Sequence, residues 1–273
     1  MYSKNGCAGG SIGVHDVRMP AMKKSASLIV GNWKSFIPSP KEGLRLLKTI
    51  DKGLPRGMKS EVVVCPPALL LAYLRATYKG RRIQLGVQDI SLQPQGPHTG
   101  EVTAELAKSS GATYAILGHA ERRAAGEDDA EVAAEVRTAL DAELIPIVCV
   151  GEVSRDKDGR FFADIEKTVA ASLARVLPHE ISRVVVAYEP VWAIGAVSAP
   201  DARTVSEATL YVRKTLAALY GREPALKTKI LYGGAVDDSS AEELLKVGGI
   251  GGFLVGRASV DPPHFLGIIR ACR

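Results

Sequence analysis

Five polar residues stand where apolar runs end. Asn32 and Lys34 follow the run 28–31, His119 and Glu121 follow 114–117, and Glu189 follows 184–188. A carboxylate, an imidazole and an ammonium are the parts of a proton-transfer site: a base, a polarising donor and a fixed positive charge. Each also has an ordinary reading. Lys34 is a surface lysine, Asn32 a turn residue, His119 a structural histidine, and one carboxylate is weak evidence for anything. His119, however, stands just ahead of a short helical pattern, where the macrodipole disfavours an imidazolium and keeps the ring neutral. Two glycine-bearing run ends, Gly233-Gly234-Ala235 and Gly256-Arg257, add backbone N–H groups of the kind that cradle phosphate. Base, neutral electrophile, cation and anion cradle together describe proton transfer on a small phosphorylated substrate.

Such residues act together only if the ends of their runs converge. The apolar, β-branched runs are 28–31, 62–65, 83–87, 114–117, 145–150, 184–188, 229–232 and 252–255, and amphipathic patterns lie between them at 44–50, 130–141, 165–177, 204–220 and 241–247. The runs are continuous rather than alternating, which fits a parallel sheet covered on both faces. Ser39-Pro40, Asp201 and Asp237-Asp238-Ser239 are helix-start signals. Eight βα units without a linker, in about 245 residues, match one (β/α)8 barrel: an α/β fold of eight parallel strands ringed by helices. A doubly wound sheet is the alternative. No G-x-G-x-x-G follows the first run, which counts against a dinucleotide fold. In either architecture chemistry belongs at the C-terminal ends of the strands.

Composition excludes other classes. The 273 residues are 46% hydrophobic, enough for a large core. The net charge of +5 invites a nucleic-acid reading, but residues 1–27 hold Lys4, Arg18, Lys23 and Lys24 against Asp16, which leaves +2 for the rest. That is an ordinary balance, and neither a nucleic-acid nor a membrane partner is expected. No apolar run approaches the ~18 residues of a membrane span, and the N-terminus has no apolar segment of a secretory signal. Cys7, Cys65, Cys149 and Cys272 form no C-x-x-C pair, and Cys65 and Cys149 sit in apolar runs. Buried reduced thiols and a cytoplasmic protein are the expectation. Residues 1–26, rich in Gly, Ser and Lys and without periodicity, read as a disordered extension ahead of one catalytic domain at 27–273.

The motifs "GNWK", "ILGHAERR", "IPIVCVGE", "YEPVWAIG", "YGGAV" and "GFLVGRAS" occur in the order of the triosephosphate isomerase family, and from about Leu28 onward the chain resembles it. The resemblance implies interconversion of dihydroxyacetone phosphate and D-glyceraldehyde 3-phosphate, with no cofactor and no metal. It assigns Glu189 as the base and His119 as the neutral donor that polarises the carbonyl; the family is a known case of such pKa tuning. Lys34 and Asn32 then face the substrate oxygens and Glu121 balances Lys34. Phosphate lies on the backbone N–H groups of Gly195, Ala235, Gly256 and Arg257. Residues 190–192 become the first hinge of a lid and 193–196 its tip. The loop from Gln88 to Glu101, with Thr99 at its tip, implies a homodimer in which that tip enters the partner.

The chain departs from the family pattern in several places. Only Ala196-Val197-Ser198-Ala199 separates Gly195 from Pro200, two residues fewer than usual. Ala235 and Ala120 stand where serines are usual, the first touching the closed lid and phosphate, the second parking the glutamate when the lid is open. Arg257 stands where glycine is common, either adding charge to the phosphate site or pointing to solvent. A shorter lid that moves less and does without those hydroxyls is expected, at roughly 0.5–1.5 kcal/mol per lost contact. Nothing in the sequence explains Asp89 where asparagine is usual. Two other functions compete: an isomerase of a related ketose phosphate such as a tetrulose phosphate, and a non-catalytic phosphate-ligand-binding barrel. The joint presence of Asn32, Lys34, His119, Glu121 and Glu189 counts against the last, since a binder needs no base.

Overall fold

The structure, a computed structural model, describes residues 26–193, 200–247 and 249–272; residues 1–25 of the N-terminal extension, with Cys7, and 194–196 of the lid tip, with Gly195, lie outside it. Eight strands alternate with helices: β1 (Leu28–Asn32), β2 (Glu61–Cys65), β3 (Ile83–Val87), β4 (Tyr114–Leu117), β5 (Ile145–Val150), β6 (Val185–Tyr188), β7 (Lys229–Tyr232) and β8 (Gly252–Val255). Every neighbouring pair is parallel, and β8 returns to β1, so the sheet closes into a barrel. Closure removes both sheet edges and settles the fold against the doubly wound alternative.

The helices are α1 (Pro40–Gly53), α2 (Ala68–Thr77), α3 (Ala104–Ser109), α4 (Ala120–Ala124), α5 (Asp129–Asp141), α6 (Phe161–Ser172), α7 (Ala202–Tyr220), α8 (Arg222–Lys227), α9 (Ala241–Val247) and α10 (Pro262–Ala271). Their starts follow capping chemistry. Ser39 and Asp201 accept backbone N–H groups of Glu42 and Thr204, and Asp128 with Glu131 closes a reciprocal box at α5. Two boundaries fall short of the sequence pattern. The pattern at 165–177 is helical only to Ser172: Leu173 and Val176 are buried in the turns that follow, where they mimic helical spacing. Val184 closes a 3-10 turn by donating to Ile181, so β6 starts one residue later.

Strand parity positions the site. One buried cluster, fed by Leu28, Val30, Val63, Cys65, Tyr114, Ile116, Ile147, Cys149, Val185, Ala187, Leu231 and Leu254, fills the barrel interior. The intervening strand residues, such as Ile29, Val186 and Tyr232, pack outward against the helices. Side chains two apart on a strand share a face. Asn32 therefore continues the inward series of Leu28 and Val30, Glu189 that of Val185 and Ala187, Gly233 that of Leu231, and Gly256 that of Leu254. All four stand at the C-terminal mouth.

Candidate active site

Asn32 closes β1, and its side-chain oxygen accepts the backbone N–H of Lys34 at 3.0 Å. That turn forces Lys34 to φ +46°, a left-handed conformation that costs a side-chain-bearing residue of order 1–3 kcal/mol. The strained peptide is held from the other side by Gln88, whose amide donates to the carbonyls of both Lys34 and Cys65 at 2.9 Å. Lys34 Nζ reaches Glu121 Oε1 at 2.6 Å. Burial acts to raise the Glu121 carboxyl, but the ammonium outweighs it and holds the group below the usual range. The reading of Glu121 as the counter-charge of Lys34 matches this geometry.

His119 is the N-cap of α4, and its Nδ1 accepts the backbone N–H of Glu121 at 3.1 Å. A nitrogen that accepts carries no proton, so the ring is the tautomer with hydrogen on Nε2. Nε2 lies 3.4 Å from Glu189 Oε1. Glu189 is 2% exposed, and its Oε2 accepts the backbone N–H of Ala120 at 3.1 Å. A backbone amide thus holds the carboxylate at the position where a serine hydroxyl is absent. Burial leaves this carboxylate with little water around it.

Gly256 is the neighbour of Lys34 at the end of β8: a Cβ added there would stand 3.9 Å from Lys34 Nζ. Arg257 is exposed and its guanidinium lies over the Phe36 ring, 5.5 Å from the centroid, which answers where its side chain goes. Ala235 stands in the turn after β7, and Gly195 lies outside the described residues. Asn32, Lys34, His119, Glu121 and Glu189 are therefore brought to one mouth, with Gly256 beside them.

Three contacts around the base and the segment after it carried no signal in the sequence. Gly233 leaves room for the base: a Cβ there would come within 2.7 Å of Glu189 Cγ. Cys149, a buried thiol as expected, lies beside Glu189; burial and then the carboxylate push it well above the usual thiol range, so it stays protonated. Glu152, with a fully buried side chain, accepts from Arg155 Nε at 2.7 Å and from Tyr188 Oη and Trp192 Nε1 at 2.9 Å each. The Glu152 carbonyl also accepts the Val191 N–H, so the segment after Glu189 is anchored to the end of β5. Glu152 ends the motif "IPIVCVGE", and no spacing rule links it to residue 192.

An eight-stranded parallel barrel with a desolvated carboxylate, a neutral imidazole and a paired ammonium at its C-terminal mouth defines a proton-transferring barrel enzyme. The family model of triosephosphate isomerase matches residues 27–272, and the chain belongs to that family. It is 38% identical over 244 residues to the triosephosphate isomerase of Roseiflexus sp. (strain RS-1), covering 89% of this chain and 96% of that one. It is 39% identical over 254 residues to that of Acidiphilium cryptum (strain JF-5), covering 89% and 97%. The crystal structure of triosephosphate isomerase from Bartonella henselae superposes with a TM-score of 0.79 at 33% identity, over 90% of this chain and 98% of that one.

Proposed function

We propose that this chain interconverts dihydroxyacetone phosphate and D-glyceraldehyde 3-phosphate, with Glu189 as the base. The Glu189 carboxylate takes a proton from the carbon next to the carbonyl. His119 Nε2–H protonates the carbonyl oxygen as the enediolate forms, the ring then takes the hydroxyl proton of the neighbouring oxygen back onto Nε2, and Glu189 delivers its proton to the former carbonyl carbon. Lys34 and Asn32 supply positive potential and a hydrogen bond at the substrate oxygens, and Glu121 fixes the Lys34 ammonium. Backbone N–H groups of Gly195, Ala235, Gly256 and Arg257 hold the phosphate. The observation that carries the reading is the tautomer of His119: its accepting Nδ1 leaves Nε2 as the donor, 3.4 Å from Glu189.

The working protein is proposed to be a cytoplasmic homodimer, built from one catalytic domain at 27–273. Support comes from the loop between Gln88 and Glu101, whose tip, including Thr99, is exposed, and from Leu69, which is 95% exposed. Among the described residues no helix is long and apolar enough to cross a membrane.

A coupled assay with D-glyceraldehyde 3-phosphate tests the chemistry. The parent turns over, and Glu189→Gln loses roughly three orders of magnitude or more in kcat with the fold intact. Undiminished turnover by Glu189→Gln would remove the proposed base. Activity on tetrulose phosphates alone would favour the related isomerase, and a phosphate ligand bound without turnover the binding barrel.

A further inference from the structure

Away from the site above, among the described residues, one group of three carboxylates converges: Asp89 in the loop after β3, Glu127 after α4, and Glu135 on α5. Arg122 of α4 takes one oxygen from each of the first two, with Nε 2.8 Å from Asp89 Oδ2 and 3.3 Å from Glu127 Oε1. The opposite oxygens, Asp89 Oδ1 and Glu127 Oε2, are buried and meet no hydrogen-bond donor, and the same holds for Glu135 Oε2. Glu135 is 4% exposed. Three carboxylates against one guanidinium leave two negative charges. Buried anionic oxygens facing one another without donors are costly, and folded proteins satisfy such groups with hydrogen bonds, ordered water or an ion.

We propose that Asp89, Glu127 and Glu135 bind one hard divalent cation of about the size of calcium. One carboxylate oxygen from each residue lies within 4.8 Å of the other two. Oxygens bound to calcium at about 2.3–2.6 Å stand at most about 4.6–5.2 Å apart, so this spacing fits inside one coordination sphere; magnesium, at about 2.0–2.1 Å, needs them closer. The donor set is oxygen alone, which suits a hard ion and not zinc or copper. The ion's two charges match the two left over by Arg122. Glu127, Glu135 and Arg122 line a cavity of about 500 Å³ shared with His98, Glu101 and Glu131. It offers access from solvent and room for water ligands, and the last two carboxylates deepen the negative potential.

The ion would join three pieces of chain near the catalytic mouth. Asp89 follows Gln88, which holds the Lys34 and Cys65 carbonyls, and Arg122 shares α4 with the His119 cap. Its binding would stiffen the base of the long loop against α4 and α5.

The test uses the full chain, stripped with chelator and then titrated with calcium, manganese and magnesium chlorides by calorimetry and thermal melting. One calcium ion per chain is expected, bound more tightly than magnesium, with Tm rising as calcium is added. Glu135→Gln should weaken calcium binding by roughly tenfold or more and abolish the Tm response. Asp89→Asn repeats the test should Glu135→Gln fail to fold. Absence of binding and of any Tm shift at millimolar calcium and manganese would overturn the site. So would calcium binding that both variants leave unchanged, and tighter magnesium binding would overturn the assigned ion size.

Discussion

The indole N–H of Trp192 donates to the carboxylate of Glu152 at 2.9 Å, tying the residue three places after Glu189 to the end of β5. Arg155, bonded to the same carboxylate, also lies over the Trp192 ring, 5.5 Å from its centroid. The segment that leaves Glu189 is therefore held by a buried charge. Trp192→Phe keeps the ring and removes the donor. It should cost about 1.5–3 kcal/mol of stability, the net worth of a hydrogen bond to a charged group, as measured by urea denaturation. A loss under about 0.5 kcal/mol would show that the hinge is held by packing alone.

Gly233 and Glu189 meet at a distance that tolerates no side chain. Gly233→Ala places a methyl within 2.7 Å of Glu189 Cγ and must displace the base. A shift of about 1 Å in a catalytic group costs on the order of a hundredfold, so kcat should fall by about that factor with little change in KM or circular dichroism. Steady-state kinetics that match the parent would contradict the contact.

Lys34 separates stability from function at one position. Its left-handed backbone penalises any residue with a Cβ. Lys34→Gly should therefore be more stable than Lys34→Ala by about 1 kcal/mol in chemical denaturation. Both should lose roughly a hundredfold to a thousandfold in kcat/KM, because the ammonium is gone in each. Equal stability of the two variants would mean that the turn relaxes once Lys34 is removed.

Acid should weaken the outer layer through Glu180. Arg137 grips this carboxylate with two bonds, at 2.6 and 2.9 Å, and the Leu177 N–H adds a third; the guanidinium bond is the leading cause that lowers the group to about 2. The folded state thus binds this proton less readily than the unfolded chain, whose carboxylate titrates near about 4.3. The stabilisation is present above that value and is lost as pH falls from there through about 2. Glu180→Gln should melt below the parent at neutral pH, and the gap should close in acid. A gap that stays constant with pH would exclude the linkage.

The ends of the apolar runs were legible enough to place Asn32, Glu189, Gly233 and Gly256 at the mouth, but continuous apolar runs do not say which residues face inward; that parity came from the packed interior. The tautomer of His119 was half legible: its place before a helix argued for a neutral ring, but which nitrogen carries hydrogen depended on the Glu121 amide. Asp89 had no explanation until folding set it against Arg122, Glu127 and Glu135, which no local rule associates with it.

What the amino-acid sequence determined by itself was everything set by neighbours in the chain: eight apolar runs, the helix caps, the polar residues that end the runs, and the motifs of an isomerase family. What only the tertiary structure decided were contacts between nearby strand ends: Glu152 under Trp192, Cys149 beside Glu189, Gln88 against Lys34. These pair residues 40 to 54 positions apart by number. Their geometry exists only once the strands have paired in register, since that register fixes which strand ends stand side by side.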